Sequence, residues 1–404
     1  MMGASRVTDT THSARLPLPS LPTMVGSYYA ARLSLTYLFF QNDPQQGTIV
    51  GVALNMLALT AVAFYTFGPA HGKASTPWRS PSFRWVAIFL GFSLCSLLWS
   101  ETVSLVNAFI YWCGMAADVA MVLLILRNGP VVEKVSRMVQ GYVCGACFIA
   151  LVMWCSPTMQ DLRPGNDEFF SPNAIGFTCA FGIFLAQFLI FRNSAWRFAA
   201  ILLSISLLRS LSKTTIAAFL VSQLFLLLAS KTIARRSKML IVAASAAVLA
   251  AFSGLIAAYY TVYINAGNQA DTLTGRVGIW ALILDRALER PWLGHGFNSV
   301  WKVIPPFGPD QFEAWHAHNE LLQQFYTYGI AGIVLLFGLY MSFYRQARRA
   351  SLPQHRTLFV SLILFIVIRG FGDTERFDLS FPLWSIALLG SLLAAFERPR
   401  EVPA

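Results

Sequence analysis

The chain has 404 residues, of which 56% are hydrophobic and only 12% are charged, and its formal net charge is +11. Soluble domains carry about 25% charged residues, so roughly half of the expected charge is missing. This composition excludes a soluble enzyme, a disordered protein and a nucleic-acid binder with an aqueous core. The basic residues fall in short clusters between apolar runs, an arrangement that sets the orientation of membrane proteins. The composition therefore predicts an all-α polytopic membrane protein.

Apolar runs suited to membrane-spanning helices, which need about 20 residues each, recur along the chain. The candidate spans are 22–40, 48–67, 83–100, 103–126, 136–155, 172–191, 197–211, 214–230, 239–263, 320–343, 357–370 and 379–396. The first is the weakest, because Arg32 lies near its middle. With the N-terminus in the cytoplasm, the inner loops carry clustered arginines and lysines, whereas the outer loops at 41–47 and 101–102 carry none. The sequence thus predicts about twelve transmembrane helices with both termini in the cytoplasm.

One outer connection is much longer than the others and contains an amphipathic pattern. Between Arg276 and Arg290 an apolar stripe recurs at helical spacing, formed by Val277, Trp280, Ala281, Leu284 and Leu288. The stripe predicts a helix on the outer membrane surface or over a cavity. We therefore expect three parts: residues 1–263 with helices one to nine, a loop over 264–319 with this helix, and residues 320–404 with the last three helices and a tail.

Charged residues gather at the outer ends of these spans, where they are functional candidates because charge at membrane depth is expensive. Lys213 and Arg209 lie four residues apart and repel each other unless they share an anion. Arg276 lies in the first turn of the amphipathic helix, where a cation is unfavourable unless an anion is near; the alternative is a snorkelling interfacial arginine. The excess of cations on this side suggests an anionic ligand such as a phosphorylated lipid.

Two histidines open the tenth predicted span. On one helix His316 and His318 would point about 200° apart, whereas on an extended approach they would share a face. His318 shares a face with Leu322 once the helix begins, which turns His318 inward at the outer boundary. An imidazole there can take a proton from a sugar hydroxyl, because the pKa of an imidazole lies near ambient pH. The alternative is a helix-start histidine with satisfied hydrogen bonds. His295 adds a third candidate zinc ligand, but no HxxxH pattern or nearby thiolate accompanies it, and we expect no metal.

Four motifs then follow one another along the chain. They are Ser212-Lys213-Thr214; Gly275-Arg276 with Trp280; Arg290-Pro291-Trp292-Leu293-Gly294-His295-Gly296-Phe297; and His318-Asn319-Glu320-Leu321-Leu322-Gln323 through Gly329-Ile330-Ala331-Gly332. In this order, over about residues 170–335, they resemble the O-antigen ligase and polymerase superfamily. The resemblance implies a GT-C-like glycosyltransferase in a Gram-negative inner membrane, with its active site facing the periplasm. It implies inverting transfer, without metal or other cofactor, of an O-antigen from undecaprenyl diphosphate to a lipid A–core sugar.

The resemblance also implies roles for individual residues. His318 would be the general base on the acceptor hydroxyl, and Arg276 would bind the donor diphosphate. Lys213 stands where the family pattern usually has arginine, so it keeps the charge but loses the bidentate fork, and Arg209 is the alternative. Asp373, in the last outer loop, would orient the base or bind acceptor sugar, as would its neighbour Glu375. The residues expected to bind substrate are Lys213, Arg209, His316, Asn319, Asp373 and Glu375.

Alternative functions differ in the acceptor or in the class of protein. An O-antigen polymerase would use the same donor with another polyprenyl-linked repeat as acceptor, and a related lipid-linked oligosaccharide transferase is a third reading. The moderate length, the single dominant outer loop and the His-Asn-Glu placement favour the ligase. A transporter of lipid-linked glycan would need mid-membrane charges and repeat symmetry. Arg32 and Asp118 are the convincing mid-span charges, and the sequence shows no internal repeat.

Overall fold

A computed structural model of the chain describes residues 20–40, 44–67, 80–158, 162–165, 170–231, 233–251, 253–254, 257–258, 261, 273–299, 316–374 and 380–397. In this part of the chain the regular structure is helical, with isolated β-bridges but no strand. The helices are α1 Leu21–Phe40, α2 Pro44–Phe67, α3 Pro81–Ser96, α4 Leu105–Arg127, α5 Val131–Cys155, α6 Pro172–Ile190, α7 Trp196–Ser210, α8 Lys213–Ala229, α9 Arg235–Ala251, α10 Leu273–Glu289, α11 Glu320–Arg349, α12 Pro353–Gly370 and α13 Ser380–Ala395.

The prediction of an all-helical membrane protein is confirmed. Each predicted span overlaps one of these helices, and α10 corresponds to the predicted amphipathic helix. Five helices hold a stretch long and apolar enough to cross a membrane: α2, α4, α5, α6 and α11. α3, α8 and the part of α13 from Pro382 are apolar but shorter. Twelve crossings and a GT-C-like fold stay predictions, and the boundary at residue 263 lies outside the described residues.

The two charges predicted at mid-span meet inside the helix bundle. Arg32 of α1 donates from Nη1 to both carboxylate oxygens of Asp118 in α4, at 2.9 Å each. Asn55 of α2 donates to Asp118 Oδ1 at 2.9 Å, and the Tyr28 hydroxyl donates to Asn55 Oδ1 at 2.8 Å. Charges within a bundle are tolerated when they are paired and hydrogen-bonded. This network explains how α1 accommodates Arg32, the residue that makes the first predicted span the weakest.

α11 is a broken helix. Gly329 has φ 63° and ψ −154°, which divides α11 into a short arm, residues 320–328, and a long arm, residues 330–349. The Tyr340 hydroxyl donates to Glu320 Oε1 at 2.7 Å, although a straight helix would hold these residues about 30 Å apart. The two arms therefore fold back against each other. The tenth predicted span, 320–343, contains a reversal that its hydropathy did not indicate.

α10 lies against the short arm with a face that the sequence pattern did not predict. Its buried residues are Ile279, Ile283 and Ala287, which pack with Ala317 and Tyr326. Of the predicted apolar stripe, Trp280 packs against this cluster, whereas Val277, Leu284 and Leu288 are exposed. The helix thus has two apolar faces, one against the protein and one available to a membrane surface.

Candidate active site

Two histidines and a carboxylate lie together where α11 begins. The ring centroids of His316 and His318 are 4.0 Å apart. His316 Nε2 and His318 Nδ1 each lie 3.7 Å from Asp373 Oδ1. Both histidines precede the helix in non-helical backbone, so their rings lie on the same side, as they would not on one helix. His318 has φ 49°, a left-handed conformation that is uncommon outside glycine and is found at functional sites.

Asp373 is a buried anion held from several sides. It follows the end of α12 and is only 2% exposed. Its Oδ2 accepts from Arg369 Nη2 at 2.8 Å, and its Oδ1 accepts from the Thr374 amide at 3.0 Å. Burial raises the pKa of the Asp373 carboxyl. Arg369 and, after it, the two histidines together lower this pKa by more than burial raises it, so the net pKa lies well below its usual range. Asp373 is therefore ionised at neutral pH and faces both imidazoles.

Arg276 connects the amphipathic helix to the same loop. Its Nη1 donates to the Gly372 carbonyl, directly before Asp373, and to Thr214 Oγ1 at 3.4 Å. Thr214 belongs to the Ser212-Lys213-Thr214 motif at the start of α8. Three of the four motifs and the loop after α12 thus converge at one place, although they are far apart in sequence.

Two further contacts fix the backbone that carries the histidines. Asn319 caps α11 because its Oδ1 accepts from the Leu322 amide at 3.1 Å, while its Nδ2 donates to the Phe371 carbonyl at 3.2 Å. Trp280 Nε1 of α10 donates to the Ala317 carbonyl at 3.0 Å. The segment between the histidines is therefore held by α10 on one side and by the loop after α12 on the other.

Of the remaining predicted residues, one lies beside a residue of the cluster, one lies away from the cluster, and one is outside the described residues. Lys213 is the first residue of α8 and its side chain is exposed next to Thr214. Arg209 donates to the Leu162 carbonyl at 3.0 Å and its guanidinium lies over the Trp154 ring, rather than over the histidine cluster. Glu375 lies outside the described residues.

Arg369 was predicted only as one of the charged residues at the outer ends of the spans, and Thr214 was predicted no role of its own; the structure brings both into the cluster. Arg369 is 8% exposed, bonds Asp373 and also stacks on the Phe177 ring at 4.2 Å. The signal that could have found it is the four-residue spacing between Arg369 and Asp373 at the end of a span, which suits an ion pair. Thr214 stands in the Ser212-Lys213-Thr214 motif, but threonine at a helix start is common and the motif alone indicates no role for it.

His316, His318 and Asp373 are also a group that could hold a metal ion, with ligand atoms all within 4.8 Å of one another. Imidazole nitrogen and carboxylate oxygen are ordinary ligands of zinc. However, Arg369 donates to Asp373 and places a fixed positive charge beside the group, which opposes a bound cation. The expected absence of a metal stays a prediction that a chelator can test.

Comparison with known proteins agrees with the motifs. The family model described as "O-Antigen ligase" (Wzy_C) matches residues 198–337, a range that contains Thr214, Arg276 and His318. The chain is also 26% identical, over 315 residues, to the exopolysaccharide production protein ExoQ of Rhizobium meliloti (strain 1021). That alignment covers 70% of this chain and 71% of the relative. The resemblance inferred from the motifs is thereby confirmed: residues 198–337 match the family model of the O-antigen ligases (Wzy_C).

Proposed function

We propose that this membrane protein transfers a glycan from a polyprenyl diphosphate donor to a carbohydrate acceptor, without a metal. The observation that carries the proposal is the convergence of an imidazole held against a buried carboxylate with an arginine from a different helix. The first pair, His318 and Asp373, is suited to proton transfer. The arginine, Arg276, is suited to a phosphate group. A family that joins glycans supports this combination of functions.

In the proposed reaction His318 is the general base. Its Nδ1 faces Asp373, which leaves Nε2 to take the proton of the acceptor hydroxyl. The acceptor oxygen attacks the anomeric carbon, and the bond from that carbon to the diphosphate oxygen breaks with inversion. The diphosphate leaves with the electron pair of that bond. Asp373 stabilises the imidazolium that forms, while His316, Asn319 and Glu375 are assigned to the acceptor sugar.

Arg276 is assigned to the departing diphosphate, whose negative charge grows as the glycosidic bond breaks. A preorganised guanidinium can supply the stabilisation that a divalent metal supplies in other glycosyltransferases. Lys213 is the better candidate for a second cation, because its neighbour Thr214 contacts Arg276 whereas Arg209 contacts Leu162.

For the acceptor we propose the lipid A–core, which makes the protein an O-antigen ligase of the Gram-negative inner membrane with its site facing the periplasm. The description of the family and the single dominant outer loop favour this choice. A polymerase is the second candidate, favoured by the relative's name as an exopolysaccharide production protein. A transporter is the weaker alternative, because Arg32 and Asp118 are accounted for by their pairing with each other.

The test is a transfer assay with purified protein in liposomes and an excess of EDTA. Undecaprenyl-diphosphate glycan is supplied with and without lipid A–core, and products are separated on a gel. Glycan shifted onto lipid A–core supports the ligase, whereas glycan lengthened without lipid A–core supports the polymerase. Folded protein that forms neither product contradicts the proposal. Activity that EDTA abolishes and zinc restores contradicts the metal-free mechanism.

A further inference from the structure

The Arg-Pro-Trp-Leu-Gly-His-Gly-Phe motif has no part in the proposed chemistry. Its residues, 290–297, follow α10 directly, and we call them the strap. The strap lies between two other parts of the molecule: the break of α11 at Gly329 on one side and the connection from α3 to α4 on the other. Its contacts on each side indicate what it does.

On the first side, the strap satisfies backbone groups that the helix break leaves without helical partners. Two strap amides donate to carbonyls before the break, and two amides after the break donate to strap carbonyls. The bonds are His295 N to Tyr326 O at 3.0 Å, Gly296 N to Thr327 O at 2.8 Å, Ile330 N to Pro291 O at 2.8 Å and Ala331 N to Trp292 O at 3.2 Å. Unsatisfied backbone groups are costly in an apolar environment, so the strap stabilises the break.

The fit is close enough to require glycine on both partners. Gly294 has φ 62°, and a Cβ there would lie 2.5 Å from the carbonyl carbon of Thr327. Gly329 has φ 63°, and a Cβ there would overlap with the backbone of Trp292. The strap and the break are therefore complementary surfaces of one structural unit.

On the second side, Glu101 fastens the strap to the connection between α3 and α4. Its amide donates to the His295 carbonyl at 3.0 Å. Its carboxylate accepts from Arg290 Nη2 at 2.7 Å and pairs with His295 Nδ1 at 2.8 Å. His295 is 4% exposed, its ring stacks on Tyr326, and its Nε2 lies 3.0 Å from the Arg286 carbonyl. Each ring nitrogen of His295 therefore lies within hydrogen-bond distance of an oxygen, one on Glu101 and one on Arg286.

The strap joins the two helical segments that carry the proposed reactive groups. α10 and the short arm are pinned to each other at two places. At one, Trp280 of α10 donates to the carbonyl of Ala317, just before the short arm. At the other, the His295 ring contacts the Arg286 carbonyl of α10, and the His295 amide donates to Tyr326 of the short arm. Arg276 lies near the first of these places, and His318 directly precedes the short arm. Any rotation of the pinned pair moves both side chains relative to Asp373, which belongs to the loop after α12.

We propose that the strap and Glu101 form a clamp that positions Arg276 and His318 against Asp373. Glu101 is a positioning residue in this scheme, since its contacts are with the strap and not with the histidine cluster. The role in catalysis rests on the proposed function, whereas the clamp itself can be measured without any reaction.

The test compares Glu101→Gln with Glu289→Gln in the full-length protein. Glu289 is a matched control because it is a half-exposed glutamate of α10 that pairs only with Arg286 among the ion pairs described. Hydrogen exchange read by mass spectrometry reports the clamp through peptides covering 291–297 and 326–331. Transfer in liposomes reports its consequence as turnover and as the KM for the donor.

We expect Glu101→Gln to speed exchange in both peptides and nowhere else, and to lower turnover about tenfold, the effect of weakening one charge-assisted contact. The donor KM should rise as well, because the clamp positions Arg276, the residue assigned to the donor diphosphate. Glu289→Gln should change neither measurement. Wild-type exchange in Glu101→Gln overturns the clamp, and faster exchange with wild-type turnover overturns its role in positioning. A wild-type chain that transfers no glycan contradicts the proposed function, while the exchange result still decides whether the clamp exists.

Discussion

Replacing Asp373 with asparagine is the sharpest test of the site, because the change removes a charge and leaves the volume of the side chain almost unaltered. His318 Nδ1 lies 3.7 Å from Asp373 Oδ1, and the carboxylate is buried. At this distance and an effective dielectric constant of about 20, a carboxylate and an imidazolium attract each other by about 4.5 kcal/mol. The proposed base is charged in the transition state and neutral before it. Loss of this attraction should therefore slow transfer by about three orders of magnitude.

The same substitution should also destabilise the fold, for a separate reason. Arg369 would remain buried without the carboxylate that accepts from it, and removing one partner of a buried ion pair costs about 3–5 kcal/mol. The double variant Arg369→Gln/Asp373→Asn removes both charges, so it should recover much of the thermal stability. It should not recover the rate, because His318 still has no anion beside it. The pair of variants separates stability from catalysis.

The rate is measured in the liposome assay at saturating donor, and stability is measured as Tm in detergent. Because the pKa of the Asp373 carboxyl is lowered in the folded protein, its contribution to stability is present above the unfolded pKa of about 4 and is lost as the pH falls below it. The Tm difference between wild type and Asp373→Asn should therefore shrink as the pH falls below about 4. Folded Asp373→Asn protein that transfers within tenfold of wild type would refute the reasoning.

Three further substitutions have distinct expected outcomes. His318→Ala should abolish transfer with an unchanged Tm. Glycan transfer by that variant would show that His318 is not the general base. Arg276→Ala should raise the donor KM and lower turnover, while Arg286→Ala, an exposed arginine on the same helix, should not; equal effects would argue against a diphosphate contact. Arg32→Leu should cost about 3–5 kcal/mol by leaving Asp118 buried and uncompensated, and Arg32→Leu/Asp118→Leu should recover most of it; a single variant as stable as wild type would contradict the pairing.

The helices were predictable because a membrane helix satisfies its own backbone hydrogen bonds, so local composition decides where it forms. The predicted run 172–191 and the observed helix α6, Pro172–Ile190, differ by one residue. The prediction for 83–100 extended too far, because α3 ends at Ser96 and the following residues turn toward the strap. That ending depends on contacts with residues almost 200 positions later, which composition does not report.

The site was predictable only where the reacting groups sit within recognisable motifs. His318 and Arg276 could be assigned from the family pattern, but the relation of His316 to His318 depends on where α11 begins. Asn319 decides this by capping the helix after both histidines, so both stand in the non-helical segment before it. The orientation of α10 was not predictable, because its two apolar stripes are equally suited to lipid and to protein.

The break at Gly329 shows why motifs 30 residues apart belong together. A helix that stops and restarts leaves carbonyls and amides without helical partners. Near a membrane there is too little water to take the place of those partners. The strap supplies four of the missing hydrogen bonds, which requires its backbone to approach the break more closely than any side chain at Gly294 or Gly329 allows. A glycine in a helical pattern is ordinarily read as a weak point of that helix. Here Gly294 and Gly329 are the two sides of one contact, between the strap and the break. This contact holds the short arm, and the irregular backbone just before the short arm lies next to Asp373. His318, at φ 49°, stands in that irregular segment, where a continuous helix would have pointed its imidazole and that of His316 to opposite sides.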